Sequence, residues 1–401
     1  MAEFEVLIES VASVEDHPNA DRLSLVGIRG YKCVSAKLED GSHRYKVGDR
    51  VVYVPEGAVV PEWLLRKGFW SEKDNKGMLA GSKGDRVKAI RLRDALSQGI
   101  LFSVNRFAGY DYEKHFALED FDAWSHHVPG TDWDDWLNVI LEEGVDVANL
   151  LGITKYEPPV PASMSGEAVS IGIENTFHFD IENIKKYPNV LEGHEVVAEE
   201  KIHGTCAIFG ILPRSPYHDN LVDGEFVVAS KGLFGRGISI KDTPENRVKN
   251  LYLKAFIEHG LDDVLRVLSQ NFNEGRDVFV LGEIYGEGVQ DLTYSDKLGF
   301  RAFGIRFRQE DGNLKWLDPD EKYELLDNCS VARPPVLYRG PYSVEAIEAV
   351  TSGTSSIDGK TLKEGVVVTP VKEFEDRYLG RAIVKSVSPD YLLRKGGTEF
   401  T

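Results

Sequence analysis

The sequence is poor in sulfur. Its 401 residues hold three cysteines and three methionines. Cys33, Cys206 and Cys329 lie too far apart for metal-ligand spacing and form no even framework, so a zinc ribbon or disulfide scaffold is not expected and a reducing cytoplasm is. No apolar run approaches the length of a membrane span, and the opening Met1-Ala2-Glu3-Phe4-Glu5 is acidic, unlike a secretory signal. There is no internal repeat or low-complexity tract, and no segment marks a stable protein partner. Positive charge is also scarce: 47 Lys and Arg stand against 65 Asp and Glu, a net of −18. Nucleic-acid phosphates demand cations, so this sum argues at first against such a partner. The distribution weakens the objection. Residues 1–105 carry 16 Lys/Arg against 15 Asp/Glu, whereas residues 106–160 carry 3 against 12. A local basic face can coexist with an acidic total.

What is present reads as a globular α+β chain of two or three domains: 42% of residues are hydrophobic and 28% charged. Residues 1–105 show short apolar runs separated by turn signals such as Asp40-Gly41, which suits an OB-like β-barrel. Basic residues there have aromatic neighbours: Arg29, Tyr31 and Lys32; Arg44, Tyr45 and Lys46; and a third group of Lys83, Arg86, Lys88, Arg91 and Arg93. Such groups suggest contact with an RNA strand, and a solvated barrel surface is the plainer alternative. Residues 106–160 read as an acidic connector with one helix opening at Thr131 and a stiff Pro158-Pro159 spacer. Residues 161–401 mix strands with a helix from Thr243-Pro244 to His259-Gly260 and another over Leu261–Leu268. Strands are expected over Asp277–Tyr285, Phe300–Phe307, Gly365–Thr369 and Arg381–Val387, giving antiparallel sheets flanked by helices.

Within that third region the chemistry gathers at predicted strand ends. Lys201-Ile202-His203-Gly204 follows an alternating strand, so Lys201 stands beside a turn whose glycine lets backbone approach closely. Four further pieces follow in order: Ser230-Lys231-Gly232, Gly282–Gly286 around Glu283, Lys363-Glu364-Gly365-Val366-Val367, and Ala382–Ser386 around Lys385. Together they offer three lysines and two glutamates to one pocket. Lysines balance a triphosphate, and carboxylates accept ribose hydroxyls or hold a hard divalent cation. Phe300, at a strand start, could lie on a purine ring.

These pieces, in this order over about 190 residues, resemble the motifs of the covalent nucleotidyltransferases, the superfamily of ATP-dependent ligases and mRNA capping enzymes. Glu200-Lys201-Ile202-His203-Gly204-Thr205 is similar to the RNA ligase 2-like branch, since DNA ligases and capping enzymes have Asp where His203 stands. The N-terminal barrel and the spacer Gly152–Pro159 resemble nick-sealing RNA ligases of the Deinococcus type, and Asp16–Leu23 resembles the tRNA-binding OB module of some synthetases. Only 16 residues follow Lys385, too few for the further domain most relatives carry.

The resemblance implies an ATP-dependent RNA ligase acting on RNA, as a nicked duplex, with Mg2+ or Mn2+. Lys201 would become a lysyl-AMP, activated by neighbouring cations that lower its pKa. His203 would orient the leaving pyrophosphate or the metal. Lys385 would neutralise the α-phosphate, and Lys231 would meet the ribose or the RNA phosphate. Glu283 would accept from the ribose, and Glu200 would contact the adenine edge. Phe300 and Val367 would enclose the adenine, with Gly204 completing the turn, and Glu364 would bind the metal. The family's final K-x-K is here Lys385-Ser386-Val387; Arg377 or Arg381 could replace the second lysine. Two other functions remain open. One is a DNA ligase or capping guanylyltransferase. The other is a non-catalytic RNA-binding protein with a degenerate nucleotidyltransferase domain.

Overall fold

The computed structural model describes residues 4–104, 142–157, 160–213 and 221–397. The chain divides into two compact units at Tyr156/Glu157. Among the described residues no helix is long and apolar enough to cross a membrane.

The N-terminal unit is built from two three-stranded antiparallel sheets. Strands β1 (Leu7–Ser10) and β2 (Ser13–Asp16) follow each other, then β3 (Leu23–Ile28), β4 (Tyr31–Ala36), β5 (Arg50–Val54) and β6 (Ile100–Ser103). One sheet has the order β1-β5-β6 and the other β2-β3-β4. Two buried clusters fill the unit, one around Ile8, Val52, Leu64 and Phe102, the other around Val26, Ile28, Cys33 and Tyr53. The acidic connector is shorter than its composition suggests. Val147, Ala148, Leu151 and Ile153 are buried in the first cluster, and Val145 and Val147 exchange backbone hydrogen bonds with β1 and Val6. Residues 142–156 therefore complete this unit, because their apolar side chains have a core to enter. The helix expected from Thr131 lies outside the described residues.

The C-terminal unit sets two five-stranded sheets against each other. The first contains β7 (Glu182–Asn183), β8 (Glu195–Lys201), β14 (Val336–Pro341), β15 (Gly365–Pro370) and β16 (Val384–Val387), in the order β7-β16-β15-β8-β14. The second contains β9 (Thr205–Ile211), β10 (Phe226–Ser230), β11 (Val278–Tyr285), β12 (Gly299–Arg308) and β13 (Leu314–Trp316), in the order β10-β9-β11-β12-β13. A three-residue turn, Ile202–Gly204, thus carries the chain from Lys201 at the end of one sheet to the other. Gly204 is required there. A Cβ on it would lie 2.1 Å from the Ile284 carbonyl oxygen, so the turn can hug β11 only without a side chain.

Helices cover the outer faces. Thr243 caps α1 (Pro244–Lys249), accepting from the Asn246 N–H at 3.1 Å. The single helix expected here is two. Asn250, extended at φ −79° and ψ 123°, ends α1 and caps α2 (Leu251–Glu258) through its own side chain. The break turns Val248, placed by periodicity on the apolar face, out to 68% exposure. Then come α3 (Leu261–Val267), α4 (Pro319–Asn328), α5 (Val344–Thr351) and the short α6 (Pro389–Leu392).

Candidate active site

Strand alternation decides which side chains meet between the two sheets. In the first sheet Val196, Ala198, Val366, Val368 and Val384 share a core cluster on one face. Their neighbours Glu199, Lys201, Val367 and Lys385 therefore point to the other. Glu199, Val367 and Lys385 form one row, since Val367 is opposite both of the others in the ladder, and Lys201 lies on the same face two residues beyond Glu199, opposite Gly365. That face fronts the second sheet. Lys322, on α4, bridges the two: its Nζ donates to Glu199 Oε2 at 2.7 Å and to the Phe303 carbonyl at 2.9 Å.

Lys201 Nζ donates to Glu364 Oε1 at 2.6 Å, and its side chain is 27% exposed. Burial pulls its pKa down, but the Glu364 and Glu283 carboxylates outweigh it and hold the ammonium above the usual lysine range. The expected depression by neighbouring cations is thus reversed, because two carboxylates weigh more in the ammonium's charge balance than any cation does. Lys385 shows the opposite balance. Burial, and then the Lys201 charge, push it down to about 8. Glu364 Oε2 is buried and without a hydrogen-bond partner. Such an oxygen fits a hard cation, which would complete its shell with phosphate oxygens and water. Among the described residues no three or more His, Cys, Asp or Glu side chains gather as a cage.

The second sheet contributes Glu283 at the centre of β11, opposite Cys206 on β9 and Arg301 on β12. Burial pushes the Glu283 carboxyl up to about 8 against the pull of Lys201, while the Gly204 N–H donates to it. Lys231 follows β10; its Nζ bonds Asp180 at 2.5 Å and lies 4.8 Å from the Phe179 ring centre. Asp180 was not anticipated as its partner.

Four expectations are corrected. Phe300 is 3% exposed and packs 5.2 Å from Phe209 in the core on the far side of the sheet. Phe303 lies on the cleft face, where it packs, partly buried, beside Ile208, Ala229 and Leu281. Period-two alternation alone separates Phe300 and Ala302 from Phe303; the sequence left open which face fronts the cleft. Glu200, one residue from Lys201, necessarily points the other way: its Oε2 accepts the Ser356 N–H at 2.8 Å, clear of the cleft. His203 is 4% exposed, and its ring nitrogens are occupied by Asp291 and Tyr391, each at 2.8 Å. It presents no free atom to a pyrophosphate or a metal. Arg381, considered as a stand-in for the missing second lysine, is forked onto Glu373 at 2.5 and 2.9 Å and covers Trp316. Arg377 lies 5.7 Å from the exposed Tyr378 ring.

In the N-terminal unit the aromatics flanking basic residues are structural. Tyr45 is 5% exposed and donates to the Leu101 carbonyl, Tyr31 stacks on Tyr53 at 5.5 Å, and Arg86 lies 3.5 Å over Tyr156. A groove of about 550 Å³ nonetheless runs over this unit. Arg44, Arg86 and Lys88 line it with Phe69 and Met78, and among the described residues no acidic side chain does.

The comparisons agree with this architecture. Residues 6–104 match an OB-fold domain, and residues 194–387 match the RNA ligase family. Solved structures with the same fold include Naegleria gruberi RNA ligase with PPi, at a TM-score of 0.68 and 21% identity over 98% of each chain. A mutant of that ligase with ATP and Mn is similar at a TM-score of 0.68 and 21% identity, over 97% of this chain and 98% of that one. A curated relative, the phenylalanine–tRNA ligase beta subunit of Bdellovibrio bacteriovorus, is 34% identical over 79 residues. The match spans 20% of this chain and 10% of that relative.

Proposed function

We propose that the chain is an ATP-dependent RNA ligase that joins a 3′-hydroxyl to a 5′-phosphate through a lysyl-AMP and an RNA-adenylate. The observation that carries this reading is the gathering of Lys201, Val367 and Lys385 on one sheet face, with Glu364 bonded to Lys201 and Glu283 across the cleft. Relatives of the same fold solved with ATP and Mn, and with AMP and Mn, support it.

In this reading Lys201 Nζ attacks the α-phosphorus of ATP. The N–P bond forms, the bond to the bridging oxygen breaks, and pyrophosphate leaves. Lys201 must first lose the proton that Glu364 now holds in place. That proton passes to solvent, and a divalent cation held by Glu364 would weaken the carboxylate's grip on the ammonium. A divalent cation held by Glu364 would neutralise phosphate charge. Lys385 offers its ammonium to the α-phosphate, where negative charge builds during attack. Glu283 accepts from the ribose, Phe303 and Val367 enclose the purine, and Lys231 exchanges Asp180 for an RNA or ribose oxygen. The 5′-phosphate of the RNA then takes the AMP, and the 3′-hydroxyl displaces it. The basic groove of the N-terminal unit binds the polynucleotide backbone, and a nicked duplex is the substrate.

Sealing of one nicked duplex in four versions, with RNA or DNA on each side of the nick, tests the polymer. Sealing that requires RNA at the 3′-hydroxyl side is the expected result. Equal or better sealing of all-DNA nicks contradicts it.

A further inference from the structure

We propose that Tyr391, Arg394 and Asp291 are positioning residues for adenylation, acting through His203 on the turn that presents Lys201. The proposal rests on Lys201 being the nucleophile. It concerns a different set of atoms from those that hold the nucleotide.

The residues just after Lys201 are gripped from two remote segments. Ile202 is buried with Tyr285 and Tyr294. The His203 N–H donates to the Tyr294 hydroxyl at 2.9 Å, and Gln290 Nε2 donates to the Gly204 carbonyl at 3.0 Å. The His203 ring is then held at both nitrogens. Asp291 Oδ1 lies 2.8 Å from Nε2, and the Tyr391 hydroxyl lies 2.8 Å from Nδ1. A carboxylate only accepts, so Nε2 carries the proton and the Tyr391 hydroxyl donates to Nδ1. Burial favours this neutral ring by lowering the imidazole pKa.

Arg394 locks the arrangement from outside. Its Nε and Nη2 fork onto Asp291 at 2.8 and 3.2 Å, and its Nη1 donates to the Tyr391 carbonyl at 2.9 Å. Its guanidinium sits 3.8 Å from the centre of the Tyr391 ring. His203 and Tyr391 are each 4% exposed, and their rings meet edge to face at 5.3 Å. Arginine, aspartate, histidine and tyrosine thus form a closed clasp. It ties residues 391–394 to the backbone two residues from Nζ. A histidine saturated in this way acts as a strut, and it sets where Lys201 can reach. Misplacing a nucleophile by about 1 Å costs on the order of 10²-fold.

The test uses the full chain, α-labelled ATP and a pre-adenylated RNA strand. Tyr391→Phe removes one hydroxyl, and Arg394→Met removes the fork. Each should slow single-turnover adenylation at saturating ATP by about tenfold to a hundredfold. Half-saturating ATP and sealing of the pre-adenylated strand should stay within about threefold of wild type. Arg394→Lys should recover part of the loss. Tyr391→Phe added to His203→Ala should do no further harm, because both cut one connection.

Unchanged adenylation in Tyr391→Phe overturns the proposal. So do losses that multiply in the double variant, or equal losses in adenylation, ATP affinity and sealing, which would mark a general contribution to folding. Nitrogen chemical shifts of the His203 ring read the clasp without any activity. They should report a proton on Nε2 in the wild type and an altered Nδ1 in Tyr391→Phe. A wild-type chain that never takes up AMP sinks the ligase reading instead, whatever those shifts show.

Discussion

The two walls of the cleft do different work and were read from sequence with different success. The wall carrying β8, β15 and β16 supplies cations and an aliphatic surface: Lys201, Lys385 and Val367 stand on one face. The wall carrying β9, β11 and β12 supplies a carboxylate and an aromatic, Glu283 and Phe303. On the first wall the β8–β15 and β15–β16 ladders run without a slip, so alternation from Lys201 and Gly365 and the pairing of Val367 find Glu199, Val367 and Lys385, while Glu364, one residue before β15, reaches Lys201 from outside that count. On the second, β11 and β12 change register between Leu281 and Gly282, where Leu281 pairs with Gly304 and Gly282 with Ala302. Phe303 is the extra residue of that bulge. Phe303 keeps the alternation set by Arg301, and the bulge re-aims the residues from Gly304 onward, which nothing in a single sequence announces.

The largest expected break in this comparison concerns the cationic wall. Lys385→Met should slow adenylation on the order of 10²-fold at saturating ATP, by removing charge aimed at the α-phosphate. Loss of the same size in ATP affinity, with the rate intact, would move Lys385 out of that role. A smaller effect separates the two phenylalanines. Phe303→Leu should raise half-saturating ATP about tenfold, the range of one lost base stack, and leave the fold intact. Phe300→Ala should instead destabilise the domain by about 3–5 kcal/mol, seen in thermal unfolding, because it empties a core position. The reverse pattern would put Phe300 at the nucleotide. The finest test is pH. The Lys385 ammonium is lost above about 8, so adenylation should fall on the alkaline side as that charge disappears. Lys201, which must shed a proton, drives the rate the other way. Lys385→Arg keeps its charge and should carry the alkaline limb upward. A limb that does not move assigns it to another group.

Much of the fold was legible where a pattern is local. The runs Asp277–Tyr285, Phe300–Phe307 and Gly365–Thr369 are strands to within a residue or so at each end, and Thr243-Pro244 does begin a helix. What escaped is tertiary. His203 looked like a ligand because it follows Lys201, yet its partners Asp291 and Tyr391 lie 88 and 188 residues away. Glu200 looked like a neighbour of the site because it is adjacent in sequence, and adjacency on a strand is what sends it to the opposite face. Residues 142–156 looked like linker because they are acidic overall, although their few apolar side chains are the ones that find a core.

The most direct test of the account is to locate the AMP. The chain should be incubated with α-labelled ATP and a divalent cation, digested, and its labelled peptide sequenced by mass spectrometry. The predicted result is one acid-labile AMP on Lys201, absent from Lys201→Ala even though that variant folds. Label on another residue, or label that survives Lys201→Ala, would contradict the account.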